Sequence, residues 1–489
     1  MTNSSDLDAI IVGSGPNGLA AAITMAMQDL NVAIYEAHDT IGGGMRTKEL
    51  TLPGFLHDVC SSIHPTGVGS PFMKSIPLGK YGLEWVYPEA SLAHPLDDGP
   101  PALLVNSIEE TAGSLRQDIH RYIKLIKPLV DDWNELAPHL LGPLSLNVNL
   151  IKMGRFGIQA LQPASIFARN SFKGEMGRGF FAGLAAHSIL PLDKISTAAI
   201  GIVLNILGHD PGWPMPKGGA QEIANAMGKL FESLGGKIYT SSIVKHLDEL
   251  PKAKTYLLDV TPKQLIEMAG NRLPWIYINR LKGYRYGSGV FKMDWALSEP
   301  IPFKEKDCHK AGTVHLGGTL EEIIDSEKKI GRGEHPDKPF VLLAQNSLFD
   351  PSRAPNNKHT AWGYCHVPNG STVDMINNIE SQIERFAPGF KDTILARHSM
   401  NTMDFQEYNA NYIGGDINGG VQDIGQMFTR PVMALSPYKT PAKGLYICSS
   451  STPPGGGVHG MCGFHAAKQA LKDIFNIRID IGNLNQSHA

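Results

Sequence analysis

The stretch whose reading decides the fold is DAIIVGSGPNGLAAAITMAMQDLNVAIYEAHDTIGGGMRT, Asp8 to Thr47. Ala9 to Val12 is an apolar run of the kind that forms a buried parallel strand. Gly13, Gly15 and Gly18 then give G-x-G-x-x-G, and Pro16 and Asn17 open an Ala-rich helix. The three glycines have separate tasks: a tight turn, close approach of backbone to a pyrophosphate, and close packing of helix on strand. The helix N-terminus adds free N–H groups and positive potential for phosphates. A second apolar strand, Val32 to Tyr35, ends on Glu36, eighteen residues past Gly18. That is where a dinucleotide-binding unit places an acid for a ribose hydroxyl. Glycines alone carry little weight. Strand, glycines, helix, strand and acid in register carry much more.

Working outward, Ala37 follows Glu36, and then Gly42-Gly43-Gly44-Met45-Arg46-Thr47. This resembles the second glycine patch of flavoenzymes of the glutathione-reductase type, in which the glycine pair and the Arg lie along the FAD pyrophosphate. The resemblance implies FAD rather than NAD. A Gly-rich turn with a solvated Arg is the bland alternative.

The chain has 489 residues, enough for two or three domains, and 42% hydrophobic against 19% charged residues allow a large core. A net charge of −3 and the lack of a basic run argue against a nucleic-acid partner. Met1 to Asp6 is short and polar, and no run of about 18 apolar residues predicts a spanning helix. Phe180 to Leu192 and Ile195 to Leu207 are the most apolar candidates, and peripheral membrane contact through them is an alternative to burial over an internal channel. The five cysteines, Cys60, Cys308, Cys365, Cys448 and Cys462, are scattered, without C-x-x-C spacing. They suit reduced thiols in the cytoplasm, or in the mitochondrial matrix of a eukaryote, and exclude a close-spaced redox pair. No cysteine and histidine cluster suggests a metal.

Beyond the first unit, strands are expected at Phe55 to Val59, Leu83 to Val86 and Ala102 to Val105, and a helix from Ser107 or Ile108 to Ile126. Residues 136–208 read as short helices forming a lid or substrate wall. GWPMPKGG, Gly212 to Gly219, leads into a helix from Ala220 to Leu234. Strands at Lys237 to Tyr239, Ile243 to Leu247 and Thr255 to Val260 return the chain to the nucleotide unit. Strands at Gly289 to Leu297, Gly312 to Gly317, Pro339 to Ala344 and Thr360 to Val367 make a second, larger sheet, with helices at Leu320 to Ile330 and Val373 to Phe386. The chain closes with a strand at Gly444 to Cys448, a glycine loop at Gly455-Gly456-Gly457, and a helix from Val458 to Phe475, again a phosphate or flavin cradle.

Together, Asp8 to Thr47, GWPMPKGGAQEIANAM (Gly212 to Met227), HTAWGYCHVPNG (His359 to Gly370) and STPPGGGVHGMCGFHAA (Ser451 to Ala467) resemble the phytoene-desaturase-related FAD oxidoreductases. The likeness is greatest to the subgroup called pyridine nucleotide-disulfide oxidoreductase domain-containing protein 2. The resemblance implies an α/β chain: a Rossmann-like FAD-binding domain of the glutathione-reductase/amine-oxidase type with an inserted mixed-sheet and helical substrate domain. The FAD domain would be discontinuous, residues 1–75, 212–265 and 430–480. The substrate domain would take 76–211 and 266–429, and 481–489 would be a tail. It implies non-covalent FAD held by Gly13, Gly15, Pro16, Asn17, Gly18, Glu36, Ala37, Gly43, Gly44, Met45, Arg46, Thr47, Val244, Thr261, Pro262, Ser450, Gly456, Gly457, Val458 and His459. Where the wider superfamily carries Gly-Asp before the last helix, this chain has Ser449 to Ser451. No second dinucleotide fingerprint is present.

The reaction the resemblance implies is hydride transfer between an apolar, isoprenoid- or lipid-like substrate and flavin N5, with dioxygen or a quinone as electron acceptor. An amine substrate and a flavin-bearing scaffold with little turnover are the alternatives. His459, in the turn expected to face the flavin, is the candidate catalytic acid or base; a purely structural hydrogen-bonding role competes with it. His64 and His366 are weaker candidates. Cys462 raises covalent flavin attachment, against the simpler reading of a small buried hydrophobe.

Overall fold

The structure, a computed structural model, describes residues 7–143 and 149–484; the polar start Met1 to Asp6 and the end of the expected tail lie outside them. Five parallel strands form the nucleotide sheet, in the order Leu445–Ile447, Ala253–Leu258, Leu7–Val12, Val32–Tyr35, Lys237–Tyr239. Such a sheet is covered on both faces, so its strands read as continuous apolar runs. Ala9, Ile10 and Ile11 are fully buried, as are Ala33 and Ile34. The helix Pro16–Ala26 covers one face and packs against Met461–Ala470 and Gln221–Ser233. Close approach there needs glycine: a Cβ on Gly463 would collide with the Asn17 carbonyl.

The second sheet has seven strands, ordered Ile394–Met400, Gly289–Leu297, His359–Val367, Val341–Ala344, Ala311–Leu316, Ala90–His94, Ala102–Leu104. It is antiparallel except where Ala311–Leu316 runs parallel to Ala90–His94. Its outer face is apolar: Phe291, Met293, Trp295, Val314, Leu316, Leu343 and Cys365 pack with Ile379 and Ile383 of the helix Ile376–Phe386. Its inner face is mixed. Strand register places Lys292, Tyr364, Leu342 and His315 in one cross-strand row and Asp294, Trp362, Ala344 and Thr313 in the next. The period-2 alternation in KMD, TVH and WGY produces both rows. Facing them is a helical layer that includes Glu175–Ala186 and Thr197–His209.

Of the two readings of Phe180 to Leu192 and Ile195 to Leu207, the structure agrees with burial: apart from exposed Ile195, their large apolar residues are buried or half-buried, and no helix among the described residues is long and apolar enough to cross a membrane. Besides Ile195, exposed apolar residues of the helical layer include Leu150, Ile151 and Ile158 on the helix Leu150–Ala160, Leu161 just past it, and Ile166 on the helix Ala164–Ser171. Other expectations are corrected. Residues Ile243 to Leu247 form no strand; the segment is irregular up to a short 3₁₀ turn at Leu247–Glu249. The helix expected through Ile126 breaks into Ile108–Ser114 and Ile119–Asp131, with Arg116 at φ 57° between them. Ile394–Met400 and Ala90–His94 are strands that sequence reading missed.

A buried polar hub joins the two units. Asp58 accepts from Thr47 Oγ1 (2.7 Å), Ser62 Oγ (2.8 Å), Ala220 N–H (2.8 Å), Asn346 Nδ2 (2.9 Å) and Arg353 (3.1 Å). Burial opposes its charge, but Arg353 and these donors outweigh burial and hold the carboxyl below its usual range. Ala220, the N-cap of the helix Gln221–Ser233, ties the end of GWPMPKGG to this hub through its N–H.

Candidate active site: a dinucleotide cradle opening on an aromatic chamber

One continuous cavity of about 500 Å³ runs from the glycine motif to the inner face of the large sheet. At one end it is lined by Gly13, Gly15, Pro16, Asn17, Glu36, Ala37, Gly43, Gly44 and Arg46. Glu36 is fixed from both sides. Oε2 accepts from Ser14 N–H (2.9 Å) and Ser14 Oγ (2.5 Å), and Oε1 accepts from His38 N–H (2.9 Å) and Arg46 (3.1 Å). Arg46 also donates to the Thr40 carbonyl at 2.8 Å, so the second glycine patch is tied to the ribose-end acid by one guanidinium.

The cradle is a space that side chains would fill. A Cβ on Gly15 would stand 2.7 Å from Asp259 Oδ2, and one on Gly43 would stand 3.0 Å from the Gly15 Cα. The two glycine patches therefore face each other across a gap that only bare backbone leaves open. Free N–H groups at the start of the helix Pro16–Ala26 fit a diphosphate, and the buried acid at the end of the second strand fits a ribose hydroxyl, so the set suits a dinucleotide.

A strap from the substrate unit crosses this end. Tyr408 donates its hydroxyl to the Gly43 carbonyl (2.7 Å), with the Arg46 guanidinium 5.7 Å from its ring centre. On the other side Asn411 donates to the Asp259 carbonyl (2.9 Å) and accepts from Thr261 N–H (3.0 Å). Asn409 to Tyr412 line the cavity, and none of them is predicted from the sequence.

Sequence expectations divide at this point. Val244, Thr261, Ser450, Gly457 and Val458 line the cavity beside the first group. Gly18 supports the wall, its N–H donating to Asp259 Oδ2 at 2.9 Å. Met45 is wholly buried in the nucleotide core, Thr47 belongs to the Asp58 hub, and Pro262 is the first residue of the helix Pro262–Ala269 behind Thr261. Gly456 packs on Asn418. These four are placed behind the cavity and not in its lining.

His459 is also behind the wall. Its Nδ1 accepts from Met461 N–H (3.0 Å), which leaves Nε2–H to donate to the Gly455 carbonyl (3.2 Å). Burial lowers its pKa to about 4. Both ring nitrogens are spent on shaping the glycine loop, so the geometry corrects the expectation of a catalytic acid or base. His366 is likewise turned away, paired with Glu327 at 2.9 Å, whereas His64 does line the cavity. Cys462 Sγ is buried against the Thr452 and Gly455 carbonyls, with burial raising its thiol pKa to about 11. The three serines in place of Gly-Asp are bonded: Ser449 Oγ donates to the Val260 carbonyl (2.7 Å), Ser451 Oγ to the Gly419 carbonyl (2.8 Å), and Ser450 Oγ accepts from Asn17 (3.4 Å).

The far end of the cavity is lined by Trp213, Leu204 and His187 from the helical layer and by Trp362, Tyr364, Leu342 and Thr313 from the sheet. Trp362 and Tyr364 stand nearly perpendicular, ring centres 5.3 Å apart. The inner-face alternation is the signal that could have found them.

Fold and cavity define a class: the chain is an FAD-dependent oxidoreductase with a Rossmann-like dinucleotide domain and a mixed-sheet substrate domain. Comparison with known proteins agrees. The NAD(P)-binding Rossmann-like domain family matches residues 11–75. The chain is 25% identical to mouse (Mus musculus) pyridine nucleotide-disulfide oxidoreductase domain-containing protein 2, across 96% of this chain and 94% of that one. It is 24% identical to the phytoene desaturase of Neurospora crassa, across 92% and 82%. Cyclohexylamine oxidase from Brevibacterium oxydans has the same fold, with a TM-score of 0.58 at 15% identity over 96% of this chain and 99% of that one.

Proposed function

We propose that this protein is a dehydrogenase or desaturase that removes hydride from an apolar, isoprenoid- or lipid-like molecule. The observation that carries the reading is the continuity of the cavity. The dinucleotide cradle opens without a break onto a chamber walled by Trp213, Leu204, Leu342, Trp362 and Tyr364. Apolar and aromatic walls with few polar groups suit a largely apolar ligand. The likeness to a phytoene desaturase points the same way. FAD held along Gly13 to Arg46 supplies the hydride acceptor, and this chain's residues supply binding and orientation. Glu36 and the helix Pro16–Ala26 would hold one end of the cofactor, the strap Asn409 to Tyr412 would cover it, and the aromatic pair Trp362 and Tyr364 would set where the substrate lies.

The test is anaerobic mixing of the flavin-loaded protein with isoprenoid and fatty-chain compounds and, in parallel, with amines. Bleaching of the flavin band by an apolar compound, with a product two hydrogens lighter, is the expected result. Bleaching by amines alone would overturn it. Reoxidation with dioxygen or a quinone then identifies the acceptor.

A further inference from the structure

Tyr364 stands on the inner face of the large sheet with a hydroxyl that no described residue bonds. Its strand, His359–Val367, is held on both sides, and Tyr364 lies between Lys292 and Leu342. Alternation along WGYCH puts Trp362, Tyr364 and His366 on one face. The Tyr364 ring is braced there by Trp362, nearly perpendicular at 5.3 Å, and by His366 at 5.7 Å.

Other polar groups at this end of the cavity have partners or are closed off. Trp213 Nε1–H donates to the Leu204 carbonyl (3.1 Å), His187 Nε2 meets His315 Nε2 (2.9 Å), and Cys60 bonds Tyr412. Trp362 Nε1 and Thr313 Oγ1 have no partner among the described residues, but packing buries both atoms. The Tyr364 hydroxyl is unbonded without being one of the buried atoms, so it opens on the cavity that its residue lines. Burial raises its pKa, and the neighbouring Cys60 and Glu327 add to the shift, so the group stays a neutral O–H around pH 7.

Such a hydroxyl matters once water is driven out. A hydrocarbon filling the chamber offers it nothing and leaves a buried O–H unsatisfied. A ligand with an oxygen at this point restores the bond. A hydroxyl both donates and accepts, so an alcohol, an ether or a carbonyl can serve and no proton position has to be assigned. Charge separates oxygen from amine. The lining carboxylates Glu36, Asp259 and Glu407 belong to the cradle and to the helix that carries the strap, and among the described residues none lines the chamber beside Tyr364. An ammonium there would lack a counter-ion.

We propose that the Tyr364 hydroxyl determines specificity by hydrogen bonding one neutral oxygen of an otherwise apolar substrate. This rests on the proposed function and narrows it: the substrate is an oxygen-bearing apolar compound and not a bare hydrocarbon. Tyr364 binds and orients, and takes no proton from the substrate. A site built to bond such a group discriminates strongly against the analogue lacking it.

The experiment titrates the flavin-loaded full chain, unaltered and as Tyr364→Phe, anaerobically with a fatty methyl ketone, the secondary alcohol of the same skeleton and the parent alkane, following the flavin spectrum. The substitution removes one oxygen and keeps the ring between Trp362 and His366. Comparing each compound between the two proteins cancels its own cost of leaving water. Ketone and alcohol should bind about tenfold weaker to the variant, and the alkane as well as before or better. In the unaltered protein the carbonyl stretch of the bound ketone should lie below its value in alkane solvent, a reading that needs no variant to fold, and the lowering should vanish in Tyr364→Phe. Equal losses for ketone and alkane, no loss for the ketone, an unlowered stretch, a lowering that survives the substitution, or binding of none of the three would overturn the inference. Fast flavin reduction by the alkane, equal in both proteins, would sink it too and leave the proposed function standing. Bleaching by amines alone would sink the function, while the ketone's binding and its carbonyl stretch still report on Tyr364 separately.

Discussion

Asp259 is the side chain on which cofactor loading turns. It is buried, bonded to Gly18 N–H at the start of the helix Pro16–Ala26, and faces the glycine gap. Burial is the main cause that lifts its pKa to about 7, helped by the charge of Glu36 and opposed by the Gly18 N–H. A diphosphate brought into the gap adds negative charge beside it, so binding favours the protonated carboxyl. FAD affinity should therefore weaken as pH rises past 7, by up to about tenfold per unit for one linked proton. Asp259→Asn keeps an acceptor for Gly18 N–H and carries no charge. Its affinity should match that of the unaltered protein near pH 6 and exceed it at pH 8.5, as read by quenching of flavin fluorescence on reconstitution. A pH-independent affinity in the unaltered protein would refute the linkage. Gly15→Val should load no flavin at any pH, because its side chain meets the Asp259 carboxylate before any ligand enters.

Among the elements, the strap Asn409 to Tyr412 is the one that sequence reading could not see. Asn409, Ala410, Asn411 and Tyr412 follow the short helix Thr402–Tyr408, and no period marks them. Their role comes from contacts across more than a hundred residues of chain, Tyr408 to Gly43 and Asn411 to Asp259. By contrast the first strand–helix–strand unit was legible because its period, its glycines and its terminal acid all lie within forty residues. The inner sheet rows were legible in principle, since alternation is local, but strands that are apolar on one face and mixed on the other read as simply buried. His459 misled for a similar reason: the glycine loop was correctly located, yet which way a ring turns within it depends on Met461 N–H. The strap leads to a test. Tyr408→Phe removes the bond to the Gly43 carbonyl and leaves the ring beside Arg46 in place. Flavin dissociation, followed as fluorescence recovery after dilution, should quicken several-fold, the scale of one neutral hydrogen bond of about 1 kcal/mol. An unchanged rate would mean that the strap covers the cofactor without holding it.

Across the whole molecule, the number of buried neutral histidines sets the response to acid. His57, His64, His94, His209, His459 and His465 are each lowered to about 4, and His187 to about 3, with burial the largest cause in every case. In the unfolded chain each regains an ordinary value near 6.5. Between pH 6.5 and 4 the unfolded chain then binds protons that the folded chain refuses, and stability rises with pH wherever that holds. Asp259 acts with the opposite sign: raised to about 7, it gives the folded chain one extra proton between its unfolded value and 7, so its contribution falls as pH rises. Asp416, also raised by burial, acts in the same sense as Asp259, but the histidines, with His315 lowered among them, outnumber the two carboxylates and prevail. Asp58, held low by Arg353, adds stability that persists down to its unfolded value and is lost below it, beneath most of the histidine window. The urea midpoint should therefore drop steeply from pH 6.5 to 4.5 and change little between 7.5 and 8.5, in flavin-free as well as flavin-loaded protein. Direct titration should show several protons taken up on unfolding at pH 5. A midpoint at pH 5 equal to or above that at pH 7.5 would mean that the buried rings do not stay neutral in the folded chain.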